Sequence, residues 1–442
     1  MHPSLDHKKL RKSMRTTNFY TTLGKIDQIV GMTVEATGMS CNIGDVCSIS
    51  TSDKKERKTL LSEVVGFKNN KVLLMPYGDI NGIGYGSFVI NTGEKLKVKM
   101  SEDLIGRTID ALGNPIDGKG EIKSDVYYSI HGAPANPMTR PPIAEPLEFG
   151  VKAIDGMITI GKGQRMGIFA GSGVGKSTLM GMIARNIKAD VNVVALIGER
   201  GRELMEFINK DLGPEGIKRS VLVVATSDQP AMLRSKCAQT ATAIAEYFKD
   251  QGKDVLLMMD SLTRFCMAER EIGLSVGEPP IARGYTPSIY ASLPKLLERC
   301  GNFETGSITG IFTVLVEGDD SNEPISDTVR GIIDGHIMLS RKIAMKNHYP
   351  AIDVLASISR LMSSIATPEQ KKAAGTIRKI MSLYQENQDL ISIGAYKTGT
   401  NPDLDMAIKK MDSVNQFLQQ AVDEKSTLEG AIEQMKEIAG TK

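Results

Sequence analysis

The first part of the chain alternates short apolar runs with turn residues. Between about Thr22 and Glu94 the runs are GKIDQIV, GMTVEAT, VCSIS and VVGFK, then NN, then KVLLM. Apolar and polar positions that alternate over such short distances are typical of half-buried strands joined by tight turns. The pattern predicts a small all-β domain, a barrel or a sandwich, over residues 22–95. The charged run DKKERK at residues 53–58 is expected at a hairpin tip as a solvated turn.

A different pattern begins after the Pro-rich passage HGAPANPMTRPPIAEP, which is expected to be an extended connector. From about Phe149 to Ile365, continuous apolar runs such as VNVVALIG and VLLMMD alternate with helical stretches. Strands that are apolar on both faces belong to a parallel sheet covered by helices on both sides. We therefore predict an α/β domain over residues 96–366 that binds its ligand at the carboxyl ends of the strands.

The two ends of the chain differ from this core. Thr367, Pro368 and Gln370 are an N-cap, a first-turn proline and a capping-box partner, so a helix is expected to begin there. Apolar residues continue at helical spacing, and residues 367–442 are predicted to be all-helical. Residues 1–21 are predicted to be a basic tail, with five lysines and arginines against the single acid Asp6, a local charge of +4.

Composition narrows the classes of function. The chain has 442 residues, of which 41% are hydrophobic and 24% charged, as in folded globular proteins. Its net charge of +2 gives no chain-wide field for a polyphosphate backbone, so no nucleic-acid partner is expected. The five scattered cysteines argue against a disulfide framework or a zinc site and favour a reducing cytosol. No apolar stretch approaches the roughly 20 residues of a transmembrane helix, and no secretory signal is expected.

The most specific chemistry lies in the stretch RMGIFAGSGVGKSTLMGMIARN. An apolar strand leads into a glycine-rich loop that ends in Gly175, Lys176 and Ser177 and opens a helix, although Ala170 stands where the strict pattern has glycine. This is the context of a phosphate-binding loop. Lys176 would add a charge at the β- and γ-phosphates, and Ser177 a hydroxyl to Mg²⁺. The predicted binding residues for ATP are Gly171, Ser172, Gly173, Val174, Gly175, Lys176, Ser177 and Thr178.

Two acids are expected at the same edge of the sheet. Asp260 ends VLLMMD after five apolar residues, which is the position of an acid that holds the Mg²⁺ shell, and a helix-capping aspartate is the alternative. Glu199 ends VNVVALIGE, where a carboxylate can polarise an attacking water. Judged from the residues alone, the commoner role for such a glutamate is a structural ion pair with one of the arginines that follow it.

A resemblance to the rotary ATPase superfamily is carried by several segments: GSGVGKST, GERGRELMEFI, MMDSLTRFCMAEREIGLSVGEPP, RGYTPSIYASLPKLLERCG and NHYPAIDVLASISRLM. Within it the chain is most similar, from about Leu23 to Phe417, to the flagellar protein export ATPases and their virulence type III secretion relatives. The resemblance implies an N-terminal β-barrel, a RecA-like P-loop ATPase core and a C-terminal helical domain.

The resemblance also implies roles for individual residues. Glu199 would activate water, Asp260 would hold Mg²⁺ with Ser177, and Arg360 would be a finger offered to the nucleotide of the neighbouring subunit. Tyr349 and Phe417 would flank the adenine. The residues implied for catalysis are Glu199, Lys176, Arg200, Arg264 and Arg360.

The resemblance implies a cytoplasmic Mg-ATPase that energises flagellar protein export as a homohexamer at the inner face of the cell membrane. Expected partners are a stator protein that regulates it, a coiled-coil stalk protein, the membrane export gate, and export substrates with their chaperones. Any peripheral membrane contact would be made by the basic tail. The alternatives are a virulence type III secretion ATPase, a subunit of a rotary ATP synthase, and a hexameric RNA translocase. REIGL and GYTPS favour the flagellar protein.

Overall fold

The computed structural model describes residues 22–50, 59–316 and 323–440. The predicted basic tail and the charged hairpin tip at residues 53–58 lie outside these ranges. The chain forms two compact units, one that ends at Leu96 and includes Ser275–Gly277, and one that contains the rest. Among the helices in the described ranges, none combines the length and the apolar character needed to cross a lipid bilayer.

The first unit contains a closed barrel of six antiparallel strands in the order β1-β2-β5-β4-β3-β6. The strands are β1 (Leu23–Val30), β2 (Thr33–Thr37), β3 (Asp45–Ser50), β4 (Thr59–Lys68), β5 (Lys71–Pro76) and β6 (Phe88–Lys95). Asn69 and Asn70 make the two-residue turn between β4 and β5, and both have the positive φ that such a hairpin requires. Ile26, Val34 and Leu74 point into a barrel core and are at most 1% exposed.

The second unit is built on a mostly parallel sheet in the order β17-β16-β10-β15-β13-β11-β12-β8, with β14 paired to β15. Its strands are β8 (Thr108–Asp110), β10 (Arg165–Ala170), β11 (Val191–Glu199), β12 (Ser220–Thr226), β13 (Asp254–Asp260), β14 (Gly301–Asn302), β15 (Ser307–Leu315), β16 (Gly335–Leu339) and β17 (Ile352–Ser359). Two further strands, β7 (Lys97–Met100) and β9 (Val126–Ser129), pair with each other. The central strands are buried on both faces, as their continuous apolar runs predict.

The helices of this unit cover the sheet and then form a bundle. Those up to the last strand are α1 (Lys152–Met157), α2 (Lys176–Asn186), α3 (Gly201–Glu206), α4 (Gly213–Ile217), α5 (Ala231–Asp250), α6 (Leu262–Val276), α7 (Pro287–Leu297), α8 (Pro324–Ile332) and α9 (Arg341–Met345). The later helices are α10 (Met362–Ile365), α11 (Pro368–Glu386), α12 (Gln388–Ser392), α13 (Pro402–Leu418) and α14 (Leu428–Ala439). A π-helical turn, Phe207–Leu212, follows α3.

The C-terminal helices begin where the capping pattern predicts. The side-chain oxygen of Thr367 accepts a hydrogen bond from the backbone N–H of Gln370 at 3.2 Å, and α11 starts at Pro368. Buried residues of α11, α13 and α14 belong to the same hydrophobic cluster as those of β10 and α2. The predicted fold class, a β-barrel followed by a P-loop α/β core and a helical region, is therefore confirmed.

Candidate active site

The phosphate-binding loop lies at the carboxyl end of β10, in the middle of the parallel sheet. The backbone leaves β10 at Ala170 and enters the 11-residue helix α2 at Lys176. Gly173 and Gly175 have φ values of 76° and 86°, a region that residues with a Cβ rarely adopt. The first N–H groups of α2 have no partner within the helix and face the loop, which suits a bound phosphate. Val174 is 2% exposed, so its side chain belongs to the core.

The ammonium group of Lys176 is bound by the two predicted acids. It forms an ion pair with Asp260, and its Nζ lies 3.8 Å from Oε1 of Glu199. Asp260 is 3% exposed and also accepts a hydrogen bond of 2.7 Å from the hydroxyl of Thr313. The lysine of the phosphate loop therefore compensates the charge of these two carboxylates.

Glu199 reaches this cluster because β11 and β13 are parallel neighbours, with Leu196 opposite Asp260. Its side chain is 13% exposed. Burial raises the pKa of Glu199, the Asp260 carboxylate raises it further and Lys176 opposes both, so that the pKa lies at about 7. A carboxylate with this proton affinity is suited to exchange a proton with water near neutral pH.

The predicted arginines occupy different positions. Arg264 on α6 faces the phosphate loop, and its buried Nε has no hydrogen-bond partner among the described residues. Its side chain passes so close to Gly198, where φ is +68°, that a Cβ there would lie 3.2 Å from it. Arg200 lies beside the loop with 76% of its side chain exposed, and it pairs with Glu203 at 3.5 Å.

A cavity of about 900 Å³ opens over the loop. Ser177, Glu199, Arg264, Leu315 and Arg341 contribute to its lining. The volume is in the range of small-molecule sites. An unpartnered guanidinium N–H beside a glycine-rich helix N-terminus fits an anion, and a hydroxyl with a buried carboxylate fits Mg²⁺. The residues present thus fit a nucleoside triphosphate and its metal ion, with Ser177 and Asp260 as the metal-binding groups. Thr178, also in the lining, makes a hydrogen bond to Asp211.

The two aromatic residues implied for adenine lie in different environments. Tyr349 is 43% exposed and lies beside the phosphate loop, because a Cβ on Gly175 would be 3.5 Å from its ring. Phe417 is 3% exposed, and a Cβ on Gly156 of α1 would lie 3.1 Å from its Cζ. The burial of Phe417 counts against an open ring face for a base, whereas the base-binding role of Tyr349 stays a prediction.

Arg360 does not line the cavity of its own chain. It follows the edge strand β17, is exposed, and donates a hydrogen bond of 3.1 Å from Nη2 to the backbone oxygen of Arg330. Its guanidinium is thus at the surface of the unit, which is compatible with a role in a neighbouring subunit.

Comparison with known proteins identifies the family. The models for the β-barrel and the nucleotide-binding domains of the ATP synthase alpha/beta family match residues 26–93 and 150–359, and the T3SS EscN ATPase C-terminal domain matches residues 366–437. The flagellum-specific ATP synthase of Bacillus subtilis is 54% identical over 96% of this chain and 97% of its own length. The type 3 secretion system ATPase of Xanthomonas euvesicatoria is 48% identical over 96% of each chain. The chain belongs to the family of flagellar and type III secretion ATPases.

A solved structure agrees with this assignment. The assembled ATPase EscN of the enteropathogenic E. coli type III secretion system superposes with a TM-score of 0.89 at 44% identity, over 94% of this chain and all of that chain. Membership of this ATPase family confirms the predicted enzyme class. It does not favour the alternatives of an ATP synthase subunit or an RNA translocase.

The site of this ATPase includes residues that the sequence analysis did not select. Glu203 lies on α3, and its carboxyl group makes a hydrogen bond with Glu199 that helps to raise the pKa of Glu199. It lies in the first turn of the helix that follows β11, and an acid so close to the carboxyl end of a parallel strand was a usable signal. Arg341 lines the cavity because it opens α9 directly after β16. A basic residue just beyond the carboxyl end of a strand that runs parallel to β10 was the signal here.

Proposed function

We propose that this ATPase hydrolyses Mg-ATP at the subunit interfaces of a homohexamer and that hydrolysis energises the export of flagellar proteins. The proposal rests on the positions of the predicted catalytic side chains, which do not all lie in the same cavity. Lys176, Glu199 and Asp260 meet beside the phosphate loop, whereas Arg360 lies outside that cavity at the surface. A site that uses Arg360 is complete only when a second chain supplies it, and a closed ring gives every chain a neighbour.

The chain's own groups account for the hydrolytic step. Lys176 would exchange Asp260 for phosphate oxygens on nucleotide binding, and Asp260 and Ser177 would then hold the metal ion. Mg²⁺ would neutralise charge on the β- and γ-phosphates. Glu199 accepts the proton of the attacking water, and its raised pKa matches this task at neutral pH. The free Nε–H of Arg264 donates to the γ-phosphate, with Arg200 beside it.

The proposed partners follow from the relatives. EscN, at 43% identity and a TM-score of 0.87, has been solved in complex with its central stalk EscO, and this supports a coiled-coil stalk partner for the present chain. We extend the proposal to a regulating stator protein, a membrane export gate, and export substrates with their chaperones. With these partners, the proposed location of the ATPase is the cytoplasm at the base of the flagellum. REIGL and GYTPS support flagellar over virulence export.

A steady-state ATPase assay over a range of protein concentrations tests the proposal. Activity per chain should rise with concentration as the ring assembles, and single-stranded RNA should not change it. Activity per chain that is constant from nanomolar to micromolar protein would contradict the shared site, and stimulation by RNA would favour a translocase. Deletion of the gene should abolish filament assembly, and normal filaments in the deletion strain would contradict the flagellar role.

A further inference from the structure

The segment between the last two helices, residues 419–427, returns from the bundle to the phosphate-binding helix. The backbone oxygen of Val422 accepts a hydrogen bond of 2.7 Å from Nη2 of Arg185, in the last turn of α2. The ammonium of Lys152, at the start of α1, pairs with Glu424 at 2.8 Å. The segment is therefore fixed to two helices of the nucleotide-binding core and not only to its own bundle.

One side chain in this segment is almost fully buried. Gln420 is 5% exposed, and every polar atom of its amide is used. Its Oε1 accepts from the backbone N–H of Lys152 at 2.8 Å, and its Nε2 donates to the backbone oxygens of Gly150 and Glu424, each at 2.9 Å. An amide is required here because the site needs an acceptor and two donors in one planar group.

The backbone of Gln420 is bonded to the residue predicted to contact the base. Its N–H donates to the backbone oxygen of Tyr349 at 3.0 Å. The side chain of Gln420 thus fixes the position of a backbone donor that in turn fixes Tyr349. The ring of Tyr349 lies beside Gly175 of the phosphate loop, so a displacement of segment 419–427 displaces the ring relative to the loop.

We propose that Gln420 is a positioning residue for the base end of the nucleotide site, acting through Tyr349 and not on the phosphates. The inference rests on the proposed base-binding role of Tyr349. None of the hydrogen bonds of Gln420 reaches Lys176, Glu199 or Asp260. Loss of its amide should therefore weaken the binding of ATP and ADP and leave the hydrolytic step intact.

Gln420→Met is the primary test because methionine keeps the length of the side chain and removes its hydrogen bonds. The KM for ATP and the Kd for ADP should each rise about tenfold, the effect of one or two lost bonds on the position of the base. The kcat should change by less than about twofold, and the Kd for inorganic tripolyphosphate, which has no base, should not change.

Gln370→Met is the matched control. Gln370 is 2% exposed and donates to the backbone oxygens of Asp155 and Gly156 on the same short helix α1. It also donates to the hydroxyl of Thr159, just beyond that helix, and none of these bonds involves Tyr349. Gln370→Met should lower the melting temperature. It should not raise the Kd for ADP more than the Kd for tripolyphosphate. Equal effects of the two variants on ADP binding would overturn the proposal, as would an equal loss of tripolyphosphate and ADP binding in Gln420→Met.

Three further variants separate the possible failures. Tyr349→Ala should weaken ADP binding by itself, and if it does not, the base-binding premise fails. If Tyr349→Ala weakens ADP binding but Gln420→Met leaves it unchanged, the positioning role of Gln420 fails. In the double variant the two effects should be smaller than their sum, because Gln420 acts through Tyr349. If Gln420→Met does not fold, Glu424→Ala loosens the same segment at a half-exposed position, and a Kd for ADP equal to that of the native chain would overturn the proposal.

Discussion

Replacement of Lys176 by alanine should destabilise the nucleotide-free protein as well as abolish turnover. The ammonium group pairs with Asp260 and lies 3.8 Å from Glu199, and its side chain is only 13% exposed. Without Lys176, the carboxylates of Asp260 and Glu199 lose the cation that they share. Asp260 keeps the hydrogen bond from the hydroxyl of Thr313.

The size of the effect follows from the distances. At 3.8 Å, two unit charges interact by about 4 kcal/mol at an effective dielectric constant of about 20. Part of this attraction offsets the desolvation of the charges, and loss of one partner of a buried pair typically costs about 3 kcal/mol. We therefore expect Lys176→Ala to lower the free energy of unfolding by about 3 kcal/mol at pH 8.

The loss should depend on pH. The pKa of Glu199 is raised to about 7 in the folded protein, so the protonated carboxyl stabilises the fold at low pH, and this contribution is lost as the pH rises through about 7. Lys176 lowers that pKa, so its removal raises the pKa further and extends the loss to higher pH. The deficit of Lys176→Ala should be smaller at pH 6 than at pH 8.

Urea denaturation followed by circular dichroism measures this, because the chain has no tryptophan and urea does not screen charges. The added substitution Glu199→Gln should restore much of the stability of Lys176→Ala at pH 8 without restoring activity, since it removes one of the uncompensated charges. The reasoning is refuted if Lys176→Ala is as stable as the native chain at pH 8, or if the double variant is less stable than the single one.

Three other perturbations separate the roles of the site and of the tail. Glu199→Gln should bind Mg-ATP with near-native affinity and hydrolyse it at least about a hundredfold more slowly, because the amide cannot accept the proton. Measurements of nucleotide affinity and of the single-turnover rate test this, and loss of binding would make Glu199 a structural residue. Arg360→Ala rings should bind ATP but lose about a thousandfold in kcat, and mixing with Lys176→Ala chains should restore partial activity; full activity of pure Arg360→Ala would place the finger elsewhere. Deletion of residues 1–20 should leave the ATPase fold intact and weaken binding to anionic liposomes and to the stator protein, by about 1 kcal/mol per basic residue near a charged surface; unchanged binding in co-sedimentation assays would leave a solvated tail.

The parts of the site that sequence analysis placed well depend on local pattern. A glycine-rich loop between a buried strand and a helix has one common use, and Lys176 and Ser177 follow from it. Asp260 and Glu199 end continuous apolar runs, and parallel strands place their carboxyl ends at one edge, so the two acids were expected to lie together. The N-terminal domain was predicted to be a barrel or a sandwich. The alternation of apolar and polar residues determines which side chains face inward but not whether the sheet closes.

Other features depend on tertiary contacts that carry no local signal. The ion pair between Lys176 and Asp260 joins residues 84 positions apart and depends on how far a flexible side chain reaches. Phe417 lies on an apolar helical face, and helical spacing does not distinguish a core ring from one that is open to a ligand. Gln420 lies in a connecting segment without periodicity, so only its burial and its three bonded backbone groups reveal its importance.

The nucleotide site and the C-terminal helical region share one hydrophobic core. Ile168 of β10, Met180 of α2 and Phe417 of α13 belong to one continuous buried cluster. Contact is so close that a Cβ on Gly156 of α1 would lie 2.4 Å from the sulfur of Met435 on α14. Interiors packed in this way transmit a displacement and do not absorb it. We therefore expect that a displacement of α13 or α14 would also move α1 and segment 419–427.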